Sequence, residues 1–300
     1  MASAKVAPAI EEVPLNANSG GCRLCGSSGN LRIALKNGQT SLVKCDSCGV
    51  GFVDPPYSSN FMATHFKEEY IQDDTRLEKV YGELRRAALT LIATQVLKKK
   101  QRGRILDVGC AGGYFLDRYF RSVKWEKSGV EPSRYALERM ARRGIQAYEG
   151  DLLSVQLPSQ SFDVITAAGV LPYFRDPARE LQVIRRALKP DGLFVVELPL
   201  GATQIWRHTT ALGKLTGGGS RSVFNSPHLY FYDLKSIRYL LRENGFRVED
   251  FHPSPGNQQA NALSNLLFRS YYEGSCVLSA LSRGRLMLGP GLVVAAVSGG

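Results

Sequence analysis

No apolar run in the chain approaches the roughly 20 residues that a membrane-crossing helix needs, so a helical membrane protein is not expected. No apolar stretch follows Met1 either, so nothing marks the chain for secretion, and a cytoplasmic location is expected, where thiols stay reduced. Histidine is scarce. Only His65, His208, His228 and His252 could supply an imidazole base. No internal repeat is evident, which leaves solenoids and propellers without support. What is present is 300 residues with 44% hydrophobic composition, enough for a large α/β domain plus a small module.

Basic residues are in excess, at net charge +11. Such a charge suits anionic partners, but Lys98, Lys99, Lys100, Arg102 and Arg104 gather near an expected helix end, where the macrodipole or solvent accounts for them equally well. The reading therefore favours a small-molecule acceptor over nucleic acid. Oligomeric state is not legible.

Six cysteines are few, and four of them are paired. Cys22-Arg-Leu-Cys25 and Cys45-Asp-Ser-Cys48 are separated by 19 residues, a spacing that suits a tetrahedral Zn²⁺ site of four thiolates. Gly26 and Gly49 follow the two pairs, where compact turns want glycine. Disulfides or a redox dithiol fit less well, because secretion is not indicated and a redox motif needs no second copy. Four sulfur ligands leave no open coordination position, so the metal is expected to brace the fold. Arg23 and Lys44 are expected to offset the cluster's negative charge. Cys110 reads as a small packed residue, and Cys276 carries no signal.

Downstream, Arg104-Ile-Leu-Asp-Val-Gly-Cys-Ala-Gly-Gly-Tyr114 reads as a buried strand that breaks into a glycine-rich turn and a helix start. A turn of this kind alone is weak evidence for a ligand. The next strand ends at Glu131, about twenty residues on, where a carboxylate can accept ribose hydroxyls. Ile145 to Tyr148 reads as a third strand, followed by Gly150-Asp151-Leu152.

This ordered set resembles the class I methyltransferases that use S-adenosylmethionine. Asp107-Val-Gly-Cys-Ala-Gly-Gly113 is similar to their first motif. The resemblance implies that Asp107, Gly109, Ala111, Gly113, Glu131, Asp151 and Leu152 hold the cofactor, with Glu131 on the ribose and Asp151 on the adenine amino group. Ser161 to Thr166 and Leu188 to Val196 resemble the fourth strand and the turn into the fifth. Ala111 departs from the family, standing where its middle glycine usually is.

The implied fold class is α/β: a Rossmann-like, mostly parallel sheet of seven strands with the last antiparallel, carrying a small N-terminal zinc ribbon and a helical linker. The expected organisation is a flexible tail over 1–20, the ribbon over 21–57, the linker over 58–100 and the methyltransferase domain over 101–300, with a mobile insertion near 200–228. Helices are expected over Thr75 to Gln101, Ser133 to Gly144, Asp176 to Leu188 and Asp233 to Asn244. Late strands are expected at Phe246 to Phe251 and Leu292 to Ser298. Asp54-Pro-Pro-Tyr57 matches a motif of base-modifying methyltransferases but precedes the cradle, so it reads as the turn leaving the ribbon.

Methyl transfer from a sulfonium asks the protein to align the acceptor and exclude water, with a base helpful for hydroxyls. His228, in Asn225-Ser-Pro-His-Leu-Tyr-Phe-Tyr232, is the first candidate, with a turn-capping role as its structural alternative. Tyr173 is the second, expected beside the methyl group; Pro172-Tyr173 stands in the place where many relatives carry Glu-His, so that histidine is absent here. Tyr230 and Tyr232 are secondary candidates, with packing as their default. Ribbon, linker, core and Pro-His-Leu-Tyr segment together resemble bacterial zinc-containing methyltransferases of sugars and natural products. The expected activity is methylation of a hydroxyl on a saccharide or specialised metabolite. A carbon or nitrogen acceptor, RNA methylation and a non-catalytic partner protein remain as alternatives.

Overall fold

The computed structural model describes residues 20–38, 40–58, 60–62, 79–210, 223–225, 227–256 and 262–299. Residues 1–19 of the expected tail and all of 211–222 lie outside them. Seven strands form one sheet: β4 (Gly103–Val108), β5 (Trp125–Glu131), β6 (Gln146–Glu149), β7 (Phe162–Ala168), β8 (Leu188–Pro199), β10 (Phe246–Ser254) and β11 (Gly291–Ser298). Their order is β10-β11-β8-β7-β4-β5-β6. The first five strands in sequence pair in parallel, and β11 runs antiparallel between β8 and β10. Strand order reverses beside β4, the switch point where open α/β sheets bind ligands.

Alternation along these strands builds two cores. Leu106, Ile165, Phe194 and Val196 face one side, while Ile105, Val164, Leu193 and Val195 face the other. On the second face pack α1 (Arg86–Lys99), through Leu89, Ile92 and Val96, and α2 (Tyr114–Tyr119), through Phe115 and Leu116, with Met140 of α3 (Arg134–Arg142). On the first face lie α4 (Pro177–Ala187) and α6 (Leu234–Glu243). Asp176 caps α4 by accepting from Arg179 N at 3.1 Å, and Asp233 and Ser236 form a reciprocal capping box on α6.

A second, four-stranded antiparallel sheet carries the cysteines. It contains β1 (Leu31–Asn37), β2 (Thr40–Cys45), β3 (Gly51–Asp54) and β9 (Tyr230–Phe231). The fourth strand lies outside the expected module of 21–57: β9 arrives from beyond β8, pairing Gly51 with Phe231 and Phe52 with Tyr230. A two-residue strand has no periodicity to read. Asp54 leaves this sheet as the expected turn, ion-paired with Arg23 at 2.9 Å. Lys44 likewise meets Asp233 at 3.7 Å, so Arg23 and Lys44 neutralise carboxylates, not the expected thiolate charge.

Three further differences emerge. The expected mobile insertion begins with α5 (Gly201–Thr209), and the linker helix is split, with a π-helical turn over Lys79–Leu84 ahead of α1. The long helix α7 (Ala262–Leu281) joins β10 to β11, where no helix is expected. Among the described residues no helix is long and apolar enough to cross a membrane. The cluster near the end of α1 is taken up by exposed pairs, Lys99 with Glu249 at 2.6 Å and Lys100 with Asp191 at 2.7 Å.

Candidate functional site

The cradle lies beyond the C-terminal end of β4. Gly109 has φ +65, and a Cβ there would collide with Val170; Gly113 has φ +76, with Ile145 Cδ1 at 2.5 Å from where its Cβ would be. Both positions therefore demand glycine on two counts. Ala111 holds φ 51 without being glycine, fully buried. A left-handed alanine costs about 1–2 kcal/mol, and the bond that its N–H donates to Glu131 Oε2 at 2.9 Å helps to hold it there.

Glu131 ties the turn together. Its other oxygen, Oε1, accepts from Ser133 N at 3.0 Å, so one carboxylate fixes the loops after β4 and after β5. Asp107 is 3% exposed and accepts from Thr166 Oγ1 at 2.6 Å. Burial pushes both carboxyls up to about 7. Cys110 is packed against Met140, 3.3 Å between sulfurs, the small packed residue expected there. Asp151 is exposed, and its Oδ1 accepts from Leu153 N and Ser154 N at 3.1 and 2.9 Å, capping its own turn beside buried Leu152.

The structure brings the two catalytic candidates together. His228 Nε2 lies 3.1 Å from Tyr173 Oη, with ring centroids 4.8 Å apart. The main chain sets this meeting: Leu229 N donates to Pro172 O at 2.8 Å, and Leu229 O accepts from Val53 N at 3.0 Å. One residue thus clamps the histidine between the turn after β7 and the cysteine module. His228 is 9% exposed, and burial lowers its pKa to about 4, so it is neutral across the physiological range. Tyr232 is fully buried and Tyr230 stacks on it at 5.9 Å, which places both in the core. His252 pairs with Asp250 at 2.9 Å. The side chains of His65 and His208 lie outside the described residues.

Sequence reasoning missed a part-buried ion pair at the ends of the strands. Arg85 Nη2 donates to Glu197 Oε2 at 2.7 Å, and its Nη1 to Ala168 O at 3.1 Å, while Ser254 Oγ donates to Glu197 Oε1 at 3.1 Å. The arginine immediately before α1 thereby fixes the ends of β7, β8 and β10. The legible signal was an acid at the end of the apolar run Leu193 to Val196. Glu180 on α4 was also missed; burial pushes its carboxyl up to about 8.

These shifts fix a pH dependence. Above pH 6.5, the unperturbed imidazole value, His228 is neutral in the folded and unfolded chain alike and drops out. Asp107, Glu131 and Glu180 retain protons only when folded, since the unfolded carboxyls ionise at their ordinary values. The folded state then binds more protons, so stability falls as pH rises, by up to about 1.4 kcal/mol per pH unit per group. The ligand-free protein is expected to melt at lower temperature at pH 8.5 than at 6.5, in roughly the window these pKa values define. A melting temperature that is flat or rising across it would refute the buried-acid assignment.

The four cysteine sulfurs lie within 4.8 Å of one another, Cys22 to Cys48 at 3.6 Å and Cys25 to Cys45 at 3.7 Å. Zn–S bonds of about 2.3 Å set tetrahedral S···S edges of about 3.8 Å, so the donor set fits that ion. Leu24 N points at Cys22 Sγ at 3.4 Å, a donor of the kind that supports a thiolate.

A methyltransferase-domain family matches residues 80–250. The tRNA U34 carboxymethyltransferase of Desulfotalea psychrophila is 34% identical over 106 residues, 32% of this chain and 32% of that protein. The ubiquinone biosynthesis O-methyltransferase of Neisseria meningitidis is 28% identical over 98 residues, 30% of this chain and 41% of that one. The chain thus spans well under half the length of these curated relatives. An S-adenosylmethionine-dependent methyltransferase of Thermotoga maritima superposes with TM-score 0.51 at 20% identity, covering 79% of this chain and 99% of that one. Phosphoethanolamine N-methyltransferase 2 of Haemonchus contortus, solved with S-adenosylhomocysteine, gives 0.54 at 17% identity over 82% of this chain and 62% of that one. At such identities the likeness concerns the fold.

Proposed function

Because the chain belongs to the S-adenosylmethionine-dependent methyltransferases, we propose that it methylates a hydroxyl of a saccharide or specialised metabolite, with Tyr173 and His228 handling the proton. The observation that carries this reading is the 3.1 Å contact between His228 Nε2 and Tyr173 Oη, held beyond the end of β7 by Leu229. When bound, S-adenosylmethionine supplies a methyl group on a sulfonium, an electrophile that needs no activation by the protein.

The chain's residues then bind, orient and move the proton. Gly109 and Gly113 leave room for the methionyl part, and each oxygen of Glu131 keeps a lone pair for a ribose hydroxyl. Asp107 faces the same turn as the second buried acid, while Asp151 and Leu152 border the adenine. A neutral imidazole accepts at Nε2 and can orient Tyr173, whose oxygen receives the acceptor hydroxyl. The alkylated hydroxyl is a far stronger acid than imidazolium, so even a base with a pKa near 4 can take its proton. Cys22, Cys25, Cys45 and Cys48 hold a structural Zn²⁺ that braces β3 and hence β9.

Calorimetric titration with S-adenosylhomocysteine tests the pocket without an acceptor. One saturable site is expected, and Glu131→Ala or Asp107→Ala should abolish measurable binding; retained micromolar affinity would contradict the assignment. No binding by the unaltered, zinc-loaded chain would favour a non-catalytic partner. Labelled methyl uptake across nucleotide sugars, glycosides and RNA tests the acceptor. Label on a saccharide oxygen supports the reading, whereas label on carbon, nitrogen or RNA replaces it with that alternative.

A further inference from the structure

Seven of the twelve large apolar side chains exposed among the described residues lie between Leu266 and Leu288, on α7 and the loop after it. The helix turns one ion pair outward, Arg269 with Glu273, and much apolar surface beside it. Its most buried positions are Ser275 and Ser279, at 3% and 8% exposure, while Leu266, Val277 and Leu281 stand outward at 61%, 58% and 79%. Leu286 and Leu288 continue the ridge at 50% and 55%. A surface helix normally points charge outward, and an apolar concentration of this size marks an interaction face.

A cationic groove adjoins the ridge. A cleft of about 870 Å³ runs between the Cys48 knuckle, α6 and the start of β10, and Lys235, Arg238, Arg242, Arg247 and Arg285 line it. Arg283 lines its neighbour with Arg238. The carboxylates that line the two clefts are Glu249 and Asp250, and Glu243 pairs with the lining Arg242. Glu243 takes Arg242 at 2.8 Å, Glu249 takes Arg247 at 3.0 Å and Lys99, and Asp250 takes His252. Arg238 lies over the Phe251 ring at 4.5 Å. Among the described residues Arg238, Arg283 and Arg285 form no ion pair, so together with Lys235 they leave the groove net positive even beside the tetracysteine cluster to which Cys48 belongs. Phe246 is level with Ser298 at the far end of the sheet from Pro199 and Gly291, so the groove lies away from the cradle.

We infer that α7 and this groove dock the protein on an anionic phospholipid surface, the ridge entering the acyl boundary and the arginines taking headgroup phosphates. Apolar residues bordered by cations are the chemistry of interfacial helices. A second copy fits less well, since it would bring two belts of like charge together in a chain of net charge +11. The inference is independent of which acceptor is methylated.

Sedimentation of the zinc-loaded protein with vesicles tests it. Vesicles containing phosphatidylglycerol are expected to carry the protein down, less so at high salt, and pure phosphatidylcholine far less. Exchanging Arg283 and Arg285 for Glu should weaken partitioning at least about twenty-five-fold, at roughly fivefold per removed cation. Leu281→Glu should weaken it roughly tenfold or more. All three residues are exposed, and none belongs to the methyl-transfer site, so S-adenosylhomocysteine affinity reports intact folding in each variant. Absent or equal partitioning onto the two vesicle types overturns the inference. So does a dimer by light scattering that Leu281→Glu dissociates, or saturable binding of single-stranded RNA, where anionic vesicles are not bound.

Discussion

Replacing His228 with Gln lowers turnover by roughly two to four orders of magnitude, the range for losing a positioned proton acceptor, while S-adenosylhomocysteine affinity stays within a few-fold of normal. The asymmetry follows from placement. His228 contacts Tyr173 and the Phe231 ring, not the turn after β4. Tyr173→Phe removes only the hydroxyl and keeps the ring in place, so its loss should be smaller if His228 reaches the acceptor directly and equal if the proton passes through the tyrosine. Single-turnover rates measured with saturating acceptor separate the two. Rates within a factor of two of the unaltered enzyme for both variants would leave the pair a structural contact.

Stripping Zn²⁺ should have a comparably large effect, on folding as well as on catalysis. Structural zinc sites carry on the order of 10 kcal/mol of apparent binding energy, and a module this small cannot replace that from its own core. A chelator is expected to raise amide exchange through residues 41–54, including Val53, whose N–H bonds Leu229 O, and also at Phe231, which pairs with β3. Methyl transfer should fall with it, although Cys22, Cys25, Cys45 and Cys48 are not part of the turn after β4. Exchange in β4 and α1 should change little. Changing Cys22 and Cys25 to Ser should lower zinc content and melting temperature together; an unchanged zinc stoichiometry would exclude the tetracysteine site.

The parts of this molecule that were legible are those whose signals are local. Ile105 to Val108 followed by glycines announces a buried strand and a tight turn, and Asp176-Pro177 announces the start of α4, because each depends on neighbours within a few residues. Glu131 was legible through its spacing from the turn. Individual candidates such as Tyr173 and His228 could be named, yet their contact required Leu229 to bridge two distant segments. Arg85 and Glu197 were hidden for the same reason, 112 residues apart. Helix α7 escaped for another: Ser275 and Ser279 face inward while Leu266, Leu267 and Leu281 face outward, so a pattern that assumes a dry core and a wet surface gives a weak signal. Asp151 shows that a motif position need not dictate a side chain's bonds, since its Oδ1 caps a local turn.

The strand contributed by Tyr230 and Phe231 has a consequence for the order of events during synthesis. Residues 20–54 leave the ribosome early and hold all four thiols, so the metal can be captured while most of the chain is still unmade. Yet the edge of β3 stays open until Phe231 has emerged, 180 residues after its partner Gly51. During that interval an unpaired strand edge is presented to every other nascent chain nearby, the kind of template on which strands from different molecules join. The small module made first is therefore completed only by a strand that the methyltransferase domain supplies much later.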